Sequence, residues 1–180
     1  MNRLNGEVNK NPDDKDAWFE GIMDQYGDRL TKLSYNYTKD WNLAEDIVQE
    51  VFITCYKEYE TLDSIVSFQA WIFRITINKC KDLLKSSFFK RVFMNSSLLA
   101  LTKSPELSPE MVTVKNCEEA ILSECVLVLP IKYREVITLH YYDELSIEEI
   151  SEILKINRNT IKTRLKRARL KLKILMERRR

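Results

Sequence analysis

The chain has 180 residues, of which 44% are hydrophobic and 31% charged, with only three glycines and four prolines. That balance excludes a disordered polymer, and the scarcity of turn formers and of period-two stretches excludes a sheet-rich fold, leaving a nearly all-helical protein. Net charge is only +2 but strongly segregated: −7 over residues 1–66, +6 over 67–104, −8 over 105–154 and +11 over 155–180. Two basic surfaces suited to a polyanion thus alternate with two acidic ones left for other partners.

Residues 1–17 read as a polar N-terminal tail, without the apolar core of a signal peptide. Helical periodicity runs from Trp18 to about Lys85, with breaks near Lys39–Asn42 and Thr61–Ser67. After the first break, Asn42 and Glu45 can form a capping pair. Ala44, Ile47, Val48, Val51 and Cys55 then make a buried face, and the other side presents Asp46, Gln49, Glu50, Ile53 and Lys57, an acidic stripe with one exposed isoleucine. A solvated helix face explains that stripe equally well.

The next helix buries Phe68, Trp71, Ile72 and Ile75 and shows Arg74, Asn78, Lys81 and Lys85 at spacings of 4, 3 and 4. Cations interleaved with an amide, beside Tyr56, Tyr59, Phe68 and Trp71, suit unstacked single-stranded nucleic acid: the cations hold the backbone while aromatics or amides receive an extruded base. The alternative for Phe68 and Trp71 is ordinary core packing. Pro105, Pro109 and the serines of "NSSLLALTKSPELSPE" mark residues 91–114 as a flexible linker. The linker separates a helical domain at 18–90 from one at 115–180, and its length suggests that the two move relative to each other.

In the last segment, Ser146 and Glu149 form a capping box opening a short helix with core positions Ile147, Ile150, Ile153 and Leu154. Lys155-Ile156-Asn157 makes a turn and Asn157 can cap the following helix, where Ile161, Leu165, Ala168 and Leu172 form a narrow buried stripe. The opposite face carries Asn159, Thr163, Lys166, Arg167 and Leu170, flanked by Lys162; Arg164, Arg169 and Lys171 lie nearer the sides, placed for phosphates or neighbouring acids. A short capped helix, a tight turn and a longer helix with a basic outer face is the helix-turn-helix arrangement, whose second helix fits the major groove. An ordinary bundle with a solvated cationic helix is the rival.

Four cysteines without CxxC spacing and a single histidine, His140, exclude a paired-ligand metal site, so reduced cysteines packed on helix faces are expected. No histidine-centred dyad or glycine-rich phosphate loop stands in the sequence, so no catalytic residue, metal or cofactor is expected. No run of about 18 apolar residues is present to span a bilayer, and a cytoplasmic location follows.

"LPIKYREVITLHYYDELSIEEISEILKINRNTIKTRLKRARLKL" resembles the promoter −35 binding domain of bacterial sigma factors of the extracytoplasmic-function group. "AEDIVQEVF" and "FQAWIFRITINKCKDLLK" resemble the family's polymerase-docking segment and the adjoining −10-melting segment. The resemblance implies an all-α fold of two small domains, similar to sigma regions 2 and 4, and the function of a promoter-specificity subunit rather than an enzyme. It implies that Asp46, Gln49, Glu50 and Ile53 face the β′ clamp helices of core RNA polymerase, with the β flap as a further contact. Arg74, Asn78 and Lys81 would meet the −10 strand, with Asn78 holding a flipped base, and Asn159, Lys162, Thr163, Lys166 and Arg167 would meet the −35 duplex. It also implies an anti-sigma factor, often membrane-anchored, that would hold the protein at the inner face of the membrane. Two places depart from the family's pattern: Leu62, Asp63 and Ser64 replace an aromatic followed by Arg or Gly, and Glu144 stands where glycine is usual. A helix-turn-helix activator that never enters polymerase shares the C-terminal half but has no use for the acidic stripe. A cationic membrane-surface or RNA-binding protein is a second rival, and the narrow, aromatic-free apolar stripe of residues 159–180 disfavours the membrane reading.

Overall fold

The computed structural model describes residues 12–86 and 117–179, and among them there are seven α-helices and no strand. The predicted linker at 91–114 lies outside the described residues. The first helix, α1, covers Pro12–Thr38. It begins at Pro12 rather than Trp18, so part of the predicted polar tail is helical. Proline suits a first helical turn, which has no use for its missing N–H. Ile22, Tyr26, Leu30, Leu33 and Tyr37 fall on one face of α1 and are all buried.

The chain reverses at Lys39, whose φ of 58° is left-handed and whose N–H donates to the Tyr35 carbonyl at 2.8 Å. Tyr35 and Trp41 stack across this turn with ring centroids 4.1 Å apart, holding a conformation that lysine adopts reluctantly. Helix α2 is Trp41–Lys57. Its N-cap is Asp40, whose carboxylate accepts from the Leu43 N–H at 3.0 Å, and not the predicted Asn42/Glu45 pair. The aspartate wins because it stands three residues ahead of a free amide at the first turn, while Asn42 already lies inside the helix.

A 3₁₀ segment, Tyr59–Ser64, leads to α3, Phe68–Lys85, capped by the Ser67 hydroxyl, which accepts from the Ala70 N–H at 3.2 Å. The side of α3 turned inward carries Ala70, Ile72, Phe73, Thr76, Ile77 and Cys80. Of the four predicted core residues only Ile72 is fully enclosed; Phe68, Trp71 and Ile75 are half-buried at the margin of the core. The face is rotated because α1 and α2 both lean on α3, so burial spans an arc wider than a single stripe.

The C-terminal lobe contains α4 (Cys117–Val128), α5 (Ile131–Ile137), α6 (Ile147–Leu154) and α7 (Arg158–Glu177). Helix α5 runs into one π-helical turn, Thr138–Tyr142. His140 Nδ1 lies 2.8 Å from the Leu145 carbonyl, which can only accept, so that nitrogen carries a proton and the chain's single histidine ties the π turn to the start of α6. Cys55, Cys80 and Cys125 are buried and free, and burial pushes the thiols of Cys55 and Cys80 up to about 12 and about 11, making them inert packing residues.

Glu144, exposed, has φ 55°, the left-handed region where its side chain costs strain that a glycine avoids. Glu144→Gly is therefore expected to raise stability by roughly 0.5–1 kcal/mol, a Tm gain of roughly 2 °C for a protein of this size. Differential scanning calorimetry checks it; a lower Tm would show that the loop is held in this shape by contacts of the glutamate itself.

The two lobes are packed together, α3 against α6 and α1 against α5, and their buried residues join in one core cluster. That cluster seats the surfaces described next.

Candidate nucleic-acid and polymerase interfaces

The C-terminal surface is built from a cap and a turn. The Ser146 hydroxyl accepts from the Glu149 N–H at 3.2 Å while the Glu149 carboxylate accepts from the Ser146 N–H at 2.8 Å, the capping box expected from the sequence. Lys155, with φ 53°, ends α6, and the Asn157 side chain accepts from the Asn159 N–H at 2.7 Å to open α7. Two helices are thus joined across residues 155–157, as expected. Ile161, Leu165, Ala168 and Leu172 are all buried, and each of the three larger side chains contributes about 1.5–3 kcal/mol to anchoring α7.

Because that stripe is enclosed, the opposite side of α7 must face outward. Asn159, Lys162, Thr163, Lys166 and Arg167 are all exposed, with Leu170 61% exposed among them. The Thr163 hydroxyl donates to the Asn159 carbonyl at 2.8 Å, fixing its rotamer and leaving its oxygen lone pairs outward. Arg169 and Lys171 stand nearer the sides, over the rings of Tyr141 and Tyr133 at 5.9 Å each. Arg164 does not face outward: its Nη1 donates to Glu135 Oε1 at 2.8 Å, so of the two roles open to it the neighbouring acid holds it.

On α2 the predicted division holds. Ala44, Ile47, Val48, Val51 and Cys55 are buried, joined by Phe52, and Asp46, Gln49, Glu50 and Ile53 are exposed. Ile53 is 52% exposed, an aliphatic side chain amid an acidic rim. Glu50 pairs with Lys79 of α3 at 2.9 Å, an exposed bridge of little energetic weight.

Helix α3 brings its predicted residues onto one side, but in different states. Asn78 is exposed. Arg74 and Lys81 are half-buried and committed to the other lobe: Arg74 Nη2 donates to the Glu152 carbonyl at 3.1 Å, and Lys81 Nζ sits 3.0 Å from Glu135 Oε2. Among the candidate stacking aromatics, Tyr59 is buried against Trp18 (5.0 Å between centroids), and Phe68 packs edge-on to Trp18 and Tyr26. Tyr59 is thus a core residue and Phe68 packs half-buried at the core's margin, because α1 supplies aromatic partners to both. Tyr56 remains exposed, with Lys15 Nζ 3.8 Å above its ring.

Sequence reasoning missed the residues that tie the lobes. Glu135, only 5% exposed, accepts from the Tyr37 hydroxyl at 2.8 Å in addition to Lys81 and Arg164. Arg29 donates through Nε to the Asp143 carboxylate at 3.3 Å and through Nη2 to its carbonyl at 3.2 Å. Burial pushes the Asp143 carboxyl up to about 6 against the opposing pull of Arg29. Desolvation also raises the Tyr37 hydroxyl well above its ordinary value, with the Glu135 carboxylate adding to it, so Tyr37 is a donor at any physiological pH. The partners are about 100 residues apart in the chain, and no local pattern links them.

The described residues hold no group of histidine, cysteine and acidic side chains able to bind a metal, and no helix among them is long and apolar enough to cross a membrane.

Residues 22–87 match the family model for sigma-70 region 2, and residues 119–172 match that for sigma-70, region 4. The ECF RNA polymerase sigma factor SigW of Bacillus subtilis is 35% identical over 167 residues, covering 87% of both chains. The chain belongs to the extracytoplasmic-function sigma factors. This sigma factor is also 32% identical to SigM of the same organism over 159 residues, covering 87% of its own chain and 94% of SigM. Two solved structures share its fold. CnrH, in complex with the cytosolic domain of CnrY, has TM-score 0.64 and 23% identity over 90% of the sigma factor and 89% of CnrH. RpoE from Bartonella quintana, in complex with the anti-sigma factor NepR, has TM-score 0.65 and 18% identity over 88% and 96%. The chain is an alternative sigma factor of RNA polymerase, and the activator reading is not favoured.

Proposed function

We propose that this sigma factor docks on core RNA polymerase through the α2 stripe Asp46, Gln49, Glu50 and Ile53, with the β′ clamp helices as its principal contact and the β flap meeting the C-terminal lobe. Residues 18–90 form the −10 domain, in which Asn78 holds an extruded base while Arg74 and Lys81 follow the strand backbone. Residues 115–180 form the −35 domain, which reads duplex with Asn159, Lys162, Thr163, Lys166 and Arg167, and residues 91–114 tether the two. The observation that carries the reading is the solvent-facing α2 stripe: an acidic rim around an exposed isoleucine fits a cationic docking partner, and a free-standing DNA-binding activator has no use for it. An anti-sigma factor that masks these surfaces is the second partner, a reading supported by the complexes of CnrH with CnrY and of RpoE with NepR; its anchorage at the cytoplasmic face of the membrane is implied by the family resemblance alone. Catalysis stays with the polymerase, and the sigma factor contributes no catalytic group.

The test is transcription by purified core enzyme on fragmented genomic template, with 5′ ends mapped with and without the protein. New start sites sharing two spaced motifs are expected; unchanged start sites would sink the reading in favour of an activator. In the same assay Asn78→Ala is expected to slow open-complex formation on the order of 10-fold, the value of a lost base contact. It should also relax preference at one −10 position while leaving duplex binding intact. Loss of folding instead would make Asn78 a structural amide.

A further inference from the structure

Ser151 stands inside α6, where serine is a neutral-to-unfavourable choice because its hydroxyl competes for backbone partners. Here the hydroxyl finds a partner outside its own helix. It reaches forward five residues and donates to the Ile156 carbonyl at 2.7 Å. The Ser151 carbonyl in turn accepts from the Lys155 N–H and, at 3.3 Å, from the Ile156 N–H. Three hydrogen bonds of the turn between α6 and α7 thus end on one residue.

The turn needs them. Lys155 lies at φ 53° and ψ 44°, left-handed backbone in which a side chain carries strain that glycine avoids. Such a conformation persists only where its surroundings hold it. What the turn aims is the start of α7. Asn157, Arg158, Asn159 and Thr160 are all exposed, and Ile161 is the first buried residue of that helix. Apolar burial therefore pins α7 from Ile161 onward and leaves its first turn to the hydrogen bonds that precede it. Arg158 does pair with Glu148 of α6 at 3.5 Å, but both side chains are exposed and the bridge adds little. A recognition helix meets base edges with its N-terminal residues, and in the proposed −35 domain these are Asn159, Lys162 and Thr163.

We infer that Ser151 is a positioning residue for −35 recognition: its hydroxyl locks the strained turn at Lys155 and so fixes the angle at which the first turn of α7 meets the duplex. It acts through the turn rather than on a base. This rests on the assignment of the outer face of α7 to the −35 duplex. Loss of the hydroxyl should show in selectivity before it shows in overall affinity. Base contacts weaken steeply when a hydrogen bond is misaligned, whereas phosphate contacts from flexible cations tolerate a small change of aim.

The experiment uses the full chain and two probes: a duplex that the unaltered protein selects from a random-sequence pool, and a scrambled duplex of the same composition. The readout is the ratio of the two affinities. Ser151→Ala is expected to cut that ratio roughly 10-fold, about the worth of one base contact, while affinity for the scrambled duplex stays within about 2-fold. Adding Lys155→Gly to Ser151→Ala should restore most of the ratio, because glycine holds a left-handed turn unaided. The lysine charge it removes acts on both duplexes alike, and a general loss of stability would also lower both affinities together, so neither moves the ratio. An unchanged ratio in a folded Ser151→Ala protein overturns the inference, and so does a loss that Lys155→Gly leaves unrepaired. Should Ser151→Ala not fold, Ser151→Thr and Ser151→Val, which share a shape and differ by the hydroxyl, carry the same comparison. The threonine variant should stay within about 2-fold of the original ratio and the valine variant fall roughly 10-fold below it; equal ratios for the pair count against the hydroxyl. If the unaltered protein selects no motif, the fault lies in the −35 assignment, and the role of Ser151 falls with it.

Discussion

Replacing Asp46 and Glu50 together with lysine is expected to abolish capture of core RNA polymerase, weakening binding on the order of 100- to 1000-fold. Each substitution turns an attraction at a partly desolvated rim into a repulsion, and a unit pair at 4 Å with an effective dielectric near 20 is worth about 4 kcal/mol of either sign before solvent screening. The fold should survive, because both side chains are exposed and neither belongs to the buried face of Ala44, Ile47, Val48, Val51, Phe52 and Cys55. The substitution does break the bridge from Glu50 to Lys79, but that pair is exposed and worth at most about 1 kcal/mol. Pull-down with purified core enzyme, alongside circular dichroism, checks the result. Full capture by a folded double variant would remove α2 from the polymerase interface.

On the recognition helix, alanine substitutions are expected to divide by role. Lys162, Lys166 and Arg167 face outward beside Asn159 and Thr163, and loss of any of them should cost about 1–3 kcal/mol of discrimination at one −35 position. Arg169 and Lys171, nearer the sides and leaning over Tyr141 and Tyr133, should weaken binding equally on every sequence and flatten the salt dependence by roughly 0.9 per phosphate contact removed. Arg164 belongs to neither group. Its partner is the buried Glu135, so Arg164→Ala should appear chiefly as instability, about 1–3 kcal/mol for stripping a charged partner from an enclosed carboxylate. Duplex affinities of the full chain across single-base variants and several salt concentrations, with a thermal melt of each protein, separate the three classes. Equal, sequence-blind losses for all would leave α7 a generic cationic surface.

What could be read from residues alone was whatever depends on spacing within one helix. The stripe Ile161, Leu165, Ala168 and Leu172, the capping box at Ser146 and Glu149, the buried face of α2 and the exposed acids opposite it all follow from a period of 3.6 and from local hydrogen bonding. The departure at Glu144 was visible through the family resemblance, and the left-handed backbone found there is the local demand that glycine would meet. How far α3 turns its sides was not legible: Phe68, expected in the buried face, is only half-buried between Trp18 and Tyr26 of α1, and Tyr59, a candidate stacking ring, is enclosed against Trp18. The states of Arg74, Lys81 and Arg164 escaped the sequence for the same reason. Periodicity shows that a cation leaves its own helix's buried face, but whether it then meets water, a phosphate or Glu135 is decided by a carboxylate brought from another helix. That approach is set by packing between lobes, because a buried charge must find partners in three dimensions, wherever in the chain they lie.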